Sequence, residues 1–521
     1  KSPLPPSPPL TSHPRAAGPA TMEVSQILLA AQSGDAATRQ AAEAQIEAAK
    51  ANNLPALMQT MATELANEAA PDPTTRQLAG LVLKNCVQAK SYMAQAALTQ
   101  RWQQQTAELK GQIKQLVLAS LASPAPQARQ TAPQVLAAIA MIELPDDGWP
   151  ELVPLLVAEF QKGSDPVKQS TLEALGYICE QIEPSVLEAH SNSILTIVVQ
   201  GMRKEQPNAD VRQAGTRALI NALSFVKRNF DNDHERNYIM QTVCETTLRE
   251  QTVDGRQQIE RLETRAGAFE CLVAIAELYY DKLGAYMTAL FELTKGEIER
   301  SIGAEGEEEV GQQAVEFWVT VCDEELDLIE EEQEAQEEGG AAAVAALERK
   351  CQHYAKHAAP TLLPLLLRGL TKKADVDEDD DDDEWTLAKS AATCLERMAR
   401  TVDDAVVPPV LQFMQVGVQS QDWRAREAAI LAFGSVSTAL AAAPAHSPAP
   451  PPAHPLPPPP LLRSSRARRT RRSATTSRRG WSTSSERCAT RRSPSATRRR
   501  GRSVGSATTR WNGFSRSTGR R

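Results

Sequence analysis

The chain reads as an all-α array of stacked helix pairs, and three observations predict it. First, apolar residues recur at helical spacing from Trp149 to about Cys244. Examples are Trp149-Pro150-Glu151-Leu152-Val153-Pro154-Leu155-Leu156, Ser170-Thr171-Leu172-Glu173-Ala174-Leu175-Gly176-Tyr177-Ile178-Cys179 and Ile194-Leu195-Thr196-Ile197-Val198-Val199. Second, these pieces come in pairs: an apolar helix, a short turn with Asp or Pro, then a helix with a basic residue in its first turn. No such pair can bury its apolar face alone, so the pairs must stack. Third, aromatics make up only 4% and hydrophobics 41%, Ala, Leu and Gln dominate, and strand-type alternation is hard to find.

The elements follow in order. Residues 1–21 carry Pro at 3, 5, 6, 8, 9, 14 and 19 and have no apolar signal-peptide core. They read as a disordered leader of non-native, translated upstream sequence, with Met22 opening a different composition. The array runs over 22–440. Thr38–Ala51 and Leu54–Ala66 are expected to form the first pair, split by Asn52-Asn53. A helix over Thr74–Val87 follows, with Thr74 or Thr75 as the candidate N-cap and Arg76 in its first turn. The same design returns at Arg129, Lys168, Arg212 and, more weakly, Arg265, at spacings of 53, 39, 44 and 53 residues, and again at Asp422-Trp423-Arg424-Ala425-Arg426. These spacings bracket the period of roughly 40–47 residues of HEAT or armadillo repeats. Each basic residue is expected to reach an Asp in the neighbouring turn and tie successive repeats together.

Charge divides the chain. Arg463–Arg521 holds 19 Arg, no Lys and one acid, Glu486, a charge of +18; against the whole-chain −8 the remainder carries −26. A body this acidic argues for basic partners and against nonspecific nucleic-acid binding. Asp323–Gly340 reads as an acidic helix extension, and Asp375–Glu384 as a solvated acidic loop. The eight cysteines, at 86, 179, 244, 271, 322, 351, 394 and 488, form no Cys-x-x-Cys pair and read as buried free thiols. No run of about 18 apolar residues exists to span a membrane.

The most specific strings resemble importin subunit beta, a family of nuclear import receptors built from HEAT repeats. They are Trp149-Pro150-Glu151-Leu152, Leu172–Cys179, Gln200-Gly201-Met202-Arg203-Lys204-Glu205, Glu316-Phe317-Trp318 with Val321-Cys322-Asp323-Glu324-Glu325, the acid run closing on Trp385, and Asp422-Trp423-Arg424. The resemblance covers about 23–440, the N-terminal half of such a receptor, and implies a right-handed superhelix of antiparallel helix pairs. It also implies a mechanism. A basic helical segment of importin-alpha, or basic cargo, binds the concave face; Phe-Gly nucleoporins bind the convex face; Ran-GTP displaces cargo in the nucleus. Residues 39–121 resemble the Ran-engaging N-terminal domain. The protein is expected to shuttle between cytoplasm and nucleus through the nuclear pore, without cofactor.

By the same resemblance, a pocket for Phe-Gly nucleoporins maps to Leu195, Thr196 and Val199 on one helix and Glu235, Tyr238 and Ile239 on the next. The spacing agrees, since 195/199 and 235/239 are i,i+4 pairs sharing a helix face; read from the residues alone, the same positions also suit plain core. Val199 and Tyr238 stand where the family often has Ile and Phe. The loop residues Asp377, Glu378, Asp379, Asp380, Asp381, Asp382, Asp383 and Glu384 resemble the family's contact to Ran and importin-alpha. Trp385 beside them either packs on a basic side chain or caps the following repeat.

From Ala441 the pattern stops. Ala441–Pro460 holds ten prolines and the Arg/Ser-rich segment follows. The tail reads either as a basic nucleic-acid or nuclear-signal segment or as an intron followed by an out-of-frame exon, and the second is favoured. Re-read two nucleotides along with permitted GC-rich codons, Ser495–Ser506 gives Arg-Asp-Thr-Thr-Ala-Trp-Thr-Val-Gly-Arg-Ile, a string the family carries in its next repeat. On that reading apolar surface is left exposed near Leu431–Leu440. A HEAT scaffold for another complex is the alternative function. An enzyme is not expected: there is no Gly-rich phosphate loop, His-Glu-x-x-His or Ser/His/Asp set, and His353 and His357 at i,i+4 lack a third metal ligand.

Overall fold

A computed structural model describes residues 24–253, 256–303, 307–372 and 385–442. The acidic residues 377–384 and the segments 1–21 and 443–521 lie outside the described residues.

The helices pair along the chain. The pairs are α1 (Val24–Ala30) with α2 (Ala36–Asn52), and α3 (Leu54–Leu65) with α4 (Pro73–Val87). After α5 (Tyr92–Gln103) come α6 (Ala107–Ser120) with α7 (Pro126–Glu143), then α8 (Leu152–Lys162) with α9 (Asp165–Gln181). The short α10 (Pro184–Leu187) leads to α11 (Ser191–Met202) with α12 (Ala209–Ala222). The short α13 (Lys227–Asp231) leads to α14 (Asp233–Thr247) with α15 (Leu262–Tyr279). Then come α16 (Met287–Gly303) with α17 (Glu308–Glu337), and α18 (Ala341–Lys350) folded onto α17. The last pairs are α19 (Tyr354–Gly369) with α20 (Leu387–Val402), and α21 (Val407–Gly417) with α22 (Trp423–Ala442).

Stacking follows one rule. The second helices α4, α7, α9, α12, α15, α17, α20 and α22 pack each on the next, and first helices such as α8, α11, α14, α16 and α19 do the same alongside them. Each pair thereby buries its apolar face against both neighbours, as a HEAT solenoid requires. The core along this seam includes Trp102, Phe230, Phe269, Phe317 and Trp318, all essentially inaccessible. Phe230 stacks on Tyr279 at 4.1 Å between centroids.

Four expectations change. The helix 36–52 pairs with α1, and α3 pairs with α4 rather than closing the first pair. Asp72, not Thr74 or Thr75, caps α4: its carboxylate accepts from Thr74 N at 2.8 Å, while Thr75 Oγ1 donates to the buried Glu64. A carboxylate two residues ahead reaches the free N–H groups that a Thr inside the helix cannot. A β-hairpin, β1 (Glu250–Val253) antiparallel to β2 (Arg256–Ile259), fills the α14–α15 connection, where Gln-Thr-Val and Gln-Gln-Ile alternate too briefly to stand out. Finally, His353 precedes α19 with φ 52° and is not on the same helix as His357.

The basic signature is present, but Arg76, Arg129, Arg212 and Arg265 reach carbonyls or glutamates rather than aspartates; Arg236, built the same way, does meet Asp233 of its own turn at 2.5 Å. Arg39, Arg129, Arg212, Arg236 and Arg426 each donate Nη1 to the carbonyl six residues earlier, at 2.9, 2.9, 2.6, 2.5 and 3.0 Å. The side chain folds back over its own turn, because these carbonyls have no partner inside a helix. Where a next repeat supplies a glutamate, the arginine also crosses to it. Arg212 forks onto Glu260 at 2.7 and 3.0 Å, and Arg265 meets Glu297 at 2.6 Å, with both partners buried in each pair. Aspartates also join successive repeats, but at less buried sites: Asp210 pairs with the exposed Arg261 at 2.6 Å and Asp323 of α17 with Arg397 of α20 at 2.9 Å.

The described cysteines, 86, 179, 244, 271, 322, 351 and 394, are free thiols. Burial pushes Cys86 and Cys244 up to about 11. Among the described residues no group of three or more His, Cys, Asp or Glu is placed to hold a metal, and no helix is long and apolar enough to cross a membrane.

Candidate peptide-docking slot

The slot lies where α11 and α14, first helices of successive repeats, run side by side. The sequence sets both phases. In α11 the run Ile194 to Val199 buries every residue except Thr196. In α14 the helix start is fixed by Asn232, whose side chain accepts from His234 N and Glu235 N at 3.0 and 3.3 Å. Glu235 also accepts from Asn232 Nδ2 at 3.1 Å, a side chain–side chain contact that further holds the helix start. This start places Glu235, Tyr238 and Ile239 toward α11.

The six residues divide into floor and rim. Leu195, Val199 and Ile239 are buried at 5%, 2% and 3% exposure and form the apolar floor. Thr196 and Tyr238 are exposed, Tyr238 at 41%, and Glu235 is half-buried. Thr196 Oγ1 donates to Asn192 O at 2.7 Å, which spends its hydroxyl on its own helix. An apolar floor with one exposed ring beside it can accept a further aromatic side chain, offset or edge-on against Tyr238.

Polar contacts cross the slot at both ends. At the N-terminal end of α11, Asn229 Nδ2 donates to Asn192 Oδ1 at 2.6 Å and to Glu235 Oε2 at 2.5 Å. Asn229 is 4% exposed and its Oδ1 has no partner. At the other end, the Arg203 guanidinium lies over the Tyr238 ring, 5.9 Å from its centroid, and pairs through Nε with Glu205 at 2.9 Å. The neighbouring Lys204 crosses to Glu245 of α14 at 3.1 Å. Arg203 also lines a groove of about 350 Å³ on the α8 side of α11, with Phe160, Lys168, Gln200 and Pro207.

Sequence reasoning missed Asn192, Asn229, Lys204 and Glu245 as parts of this region. Arg203-Lys204 is visible as a basic pair at a helix end, but nothing local gives its partners, which lie tens of residues away. Of the acidic-loop residues only Trp385 is described. Its Nε1 donates to Ser390 Oγ at 2.7 Å and its carbonyl accepts from Gln312 Nε2 at 3.0 Å, so it is tied to the start of α20.

These features define an α-solenoid of HEAT repeats with a floored, polar-ended slot between successive first helices. Comparison with known proteins finds relatives over most of this chain. Residues 42–123 match the Importin-beta N-terminal domain. The chain is 43% identical to importin subunit beta-1 of Arabidopsis thaliana over 416 residues, 80% of this chain and 45% of that protein. It is 43% identical to importin subunit beta-1 of Schizosaccharomyces pombe over 417 residues, 80% of this chain and 46% of that one. Among solved structures it is similar to importin beta, with a TM-score of 0.69 at 39% identity over 79% of this chain and 45% of that one. It is also similar to the Kap95:Nup1 complex and to Kap95p with RanGDP, with TM-scores of 0.64 and 0.66, each at 34% identity over 79% of this chain and 45% of that one. The array is homologous to the N-terminal half of importin subunit beta-1, and the chain spans a little under half the length of these relatives.

Proposed function

We propose that this chain acts as the N-terminal part of a nuclear import receptor that works by binding, without catalysis. It binds Phe-Gly nucleoporins through the α11–α14 slot and the GTP form of Ran through its first repeats. It holds importin-alpha's basic segment, or basic cargo, beside the acidic residues 377–384, and it shuttles between cytoplasm and nucleus through the pore. The single observation that carries this reading is the slot itself: three buried apolar residues on two adjacent helices, opened by an exposed Thr and an exposed Tyr. Support comes from the structural neighbours solved with Nup1 and with RanGDP. The charge of the body fits basic partners, and the acid run would raise association rates more than affinity.

The test is titration of the full chain with a Phe-Gly peptide. Val199→Asp is a poor probe, since position 199 is buried and a carboxylate there would cost folding energy. Tyr238→Asp changes an exposed residue beside the floor. Binding is expected to fall on the order of tenfold, the loss of one aromatic wall. Unchanged affinity would assign the peptide to another surface.

A further inference from the structure

We infer that Arg203 and Asn229 are positioning residues that fix the width of the α11–α14 slot before any peptide arrives. The inference rests on the reading of the slot as a peptide site. Asn192 and Arg203 lie at opposite ends of α11, about 16 Å apart along the helix axis. Each end is tied across the slot to α14 or its entry, at the first by Asn229 and at the second by Arg203 on Tyr238 with Lys204 on Glu245. The floor between them is aliphatic, and aliphatic contact is non-directional. It permits the helices to slide or close over the slot. Directional contacts at both ends hold them apart at one spacing.

The chemistry of each residue suits this role. Asn229 spends both hydrogens of one buried amide on two acceptors from different helices, Asn192 Oδ1 and Glu235 Oε2. Aspartate has the same shape and cannot donate. Arg203 is held in place by Glu205 with its guanidinium carbon 5.9 Å from the centroid of the Tyr238 ring, and a lysine ammonium does not reproduce a planar cation with several donors. The ring is 41% exposed, so a side chain this open to solvent depends on Arg203 for its direction. A wall held in its bound position costs no ordering when the ligand enters, so the contacts outside the slot contribute to affinity within it.

The experiment uses the full chain with 3-fluorotyrosine incorporated, the Tyr238 signal being the one missing in Tyr238→Phe. Without peptide, Arg203→Ala is expected to shift and broaden the Tyr238 fluorine resonance. In titrations with a Phe-Gly peptide it should weaken binding about two- to fivefold. Arg203→Lys should fall between, and Tyr238→Phe, which keeps the ring but removes the hydroxyl that Arg203 also faces, should weaken binding less than Arg203→Ala does. At the other end Asn229→Asp should weaken binding. Because Asn229 is buried and its loss could destabilise the array, the exposed Asn192→Ala is the control, expected to weaken binding with unchanged melting temperature. An unmoved resonance with unchanged affinity in Arg203→Ala and Asn192→Ala overturns the inference. If those variants bind normally while Tyr238→Asp does not, the slot stands and the positioning role falls. If Tyr238→Asp binds normally, the slot reading falls, and the fluorine resonance still decides whether Arg203 holds Tyr238.

Discussion

The middle of the array and its last described pair use the same local design with opposite results. In α12 and α22 an arginine near the helix start donates to the carbonyl six residues back, Arg212 to Gln206 and Arg426 to Ser420. Arg212 is 2% exposed and forks onto Glu260 of the following repeat, whereas Arg426 is exposed and holds only its own turn. The apolar side chains differ in the same way. Ile194 to Val199 of α11 are buried except Thr196, while Ile430, Leu431 and Phe433 of α22 stand 66%, 42% and 50% exposed, with Val416 at 71% on α21. Helix formation is therefore local, but burial is supplied by the neighbour. The exposed apolar surface falls where the sequence places it, near the start of 431–440.

The sharpest way to break this comparison is to remove each arginine. Arg212→Ala leaves Glu260 buried without its partner and should destabilise the middle repeats by about 3–5 kcal/mol, while Arg426→Ala should cost under about 0.5 kcal/mol. Chemical denaturation with hydrogen exchange, read separately for α12 and α22, checks both. Equal effects would mean that the neighbouring repeat contributes nothing to the middle arginine.

Glycines give the next largest contrast. A Cβ on Gly215 would sit 2.8 Å from Met202 N and 3.0 Å from Gly201 C, against the backbone of α11, whereas one on Gly434 meets nothing within 4 Å. Gly215→Ala should cost about 1–3 kcal/mol and disturb the slot helix, and Gly434→Ala should stabilise α22 by about 0.5–1 kcal/mol. Melting curves of the two variants should move in opposite directions.

A smaller effect is expected at the exposed end. Replacing Ile430 and Phe433 together by Ser should leave melting nearly unchanged and reduce self-association in sedimentation, since both side chains already face solvent. A large drop in melting temperature would show that these residues are core after all.

The smallest concerns pH. Burial raises the Glu270 carboxyl above its usual 4.5, helped by Glu309 on the next second helix. The folded array thus holds this proton to higher pH than the unfolded chain does. Its contribution is fully present below about 4.5 and is lost as pH rises through the raised value. Glu270→Gln should match wild type near pH 4 and be slightly more stable at pH 7. The reverse order would place Glu270 in a favourable ion pair.

Most of the helices were legible because apolar spacing is a local signal, whereas the one cap read from the sequence, Thr74 or Thr75, is supplied by Asp72. The pairing of α1 with α2 was not legible, because α1 is seven residues long and too short to show a period. The β-hairpin was hidden by strands of four residues each. The slot residues could be named through resemblance, but their split into buried floor and exposed rim is a property of two helices in contact. The staples at its ends were illegible for the same reason: Asn192 meets Asn229 across 37 residues and Lys204 meets Glu245 across 41. Spacing within one helix carries no information about either.

The most direct measurement is photo-crosslinking of the full chain with a Phe-Gly peptide carrying benzoylphenylalanine in place of its Phe, followed by mass-spectrometric mapping. The expected result is labelling confined to 195–199 and 235–239, and lost in Tyr238→Asp. Labelling concentrated on the exposed residues of α21 and α22 instead would contradict the slot as the place where the aromatic ring docks.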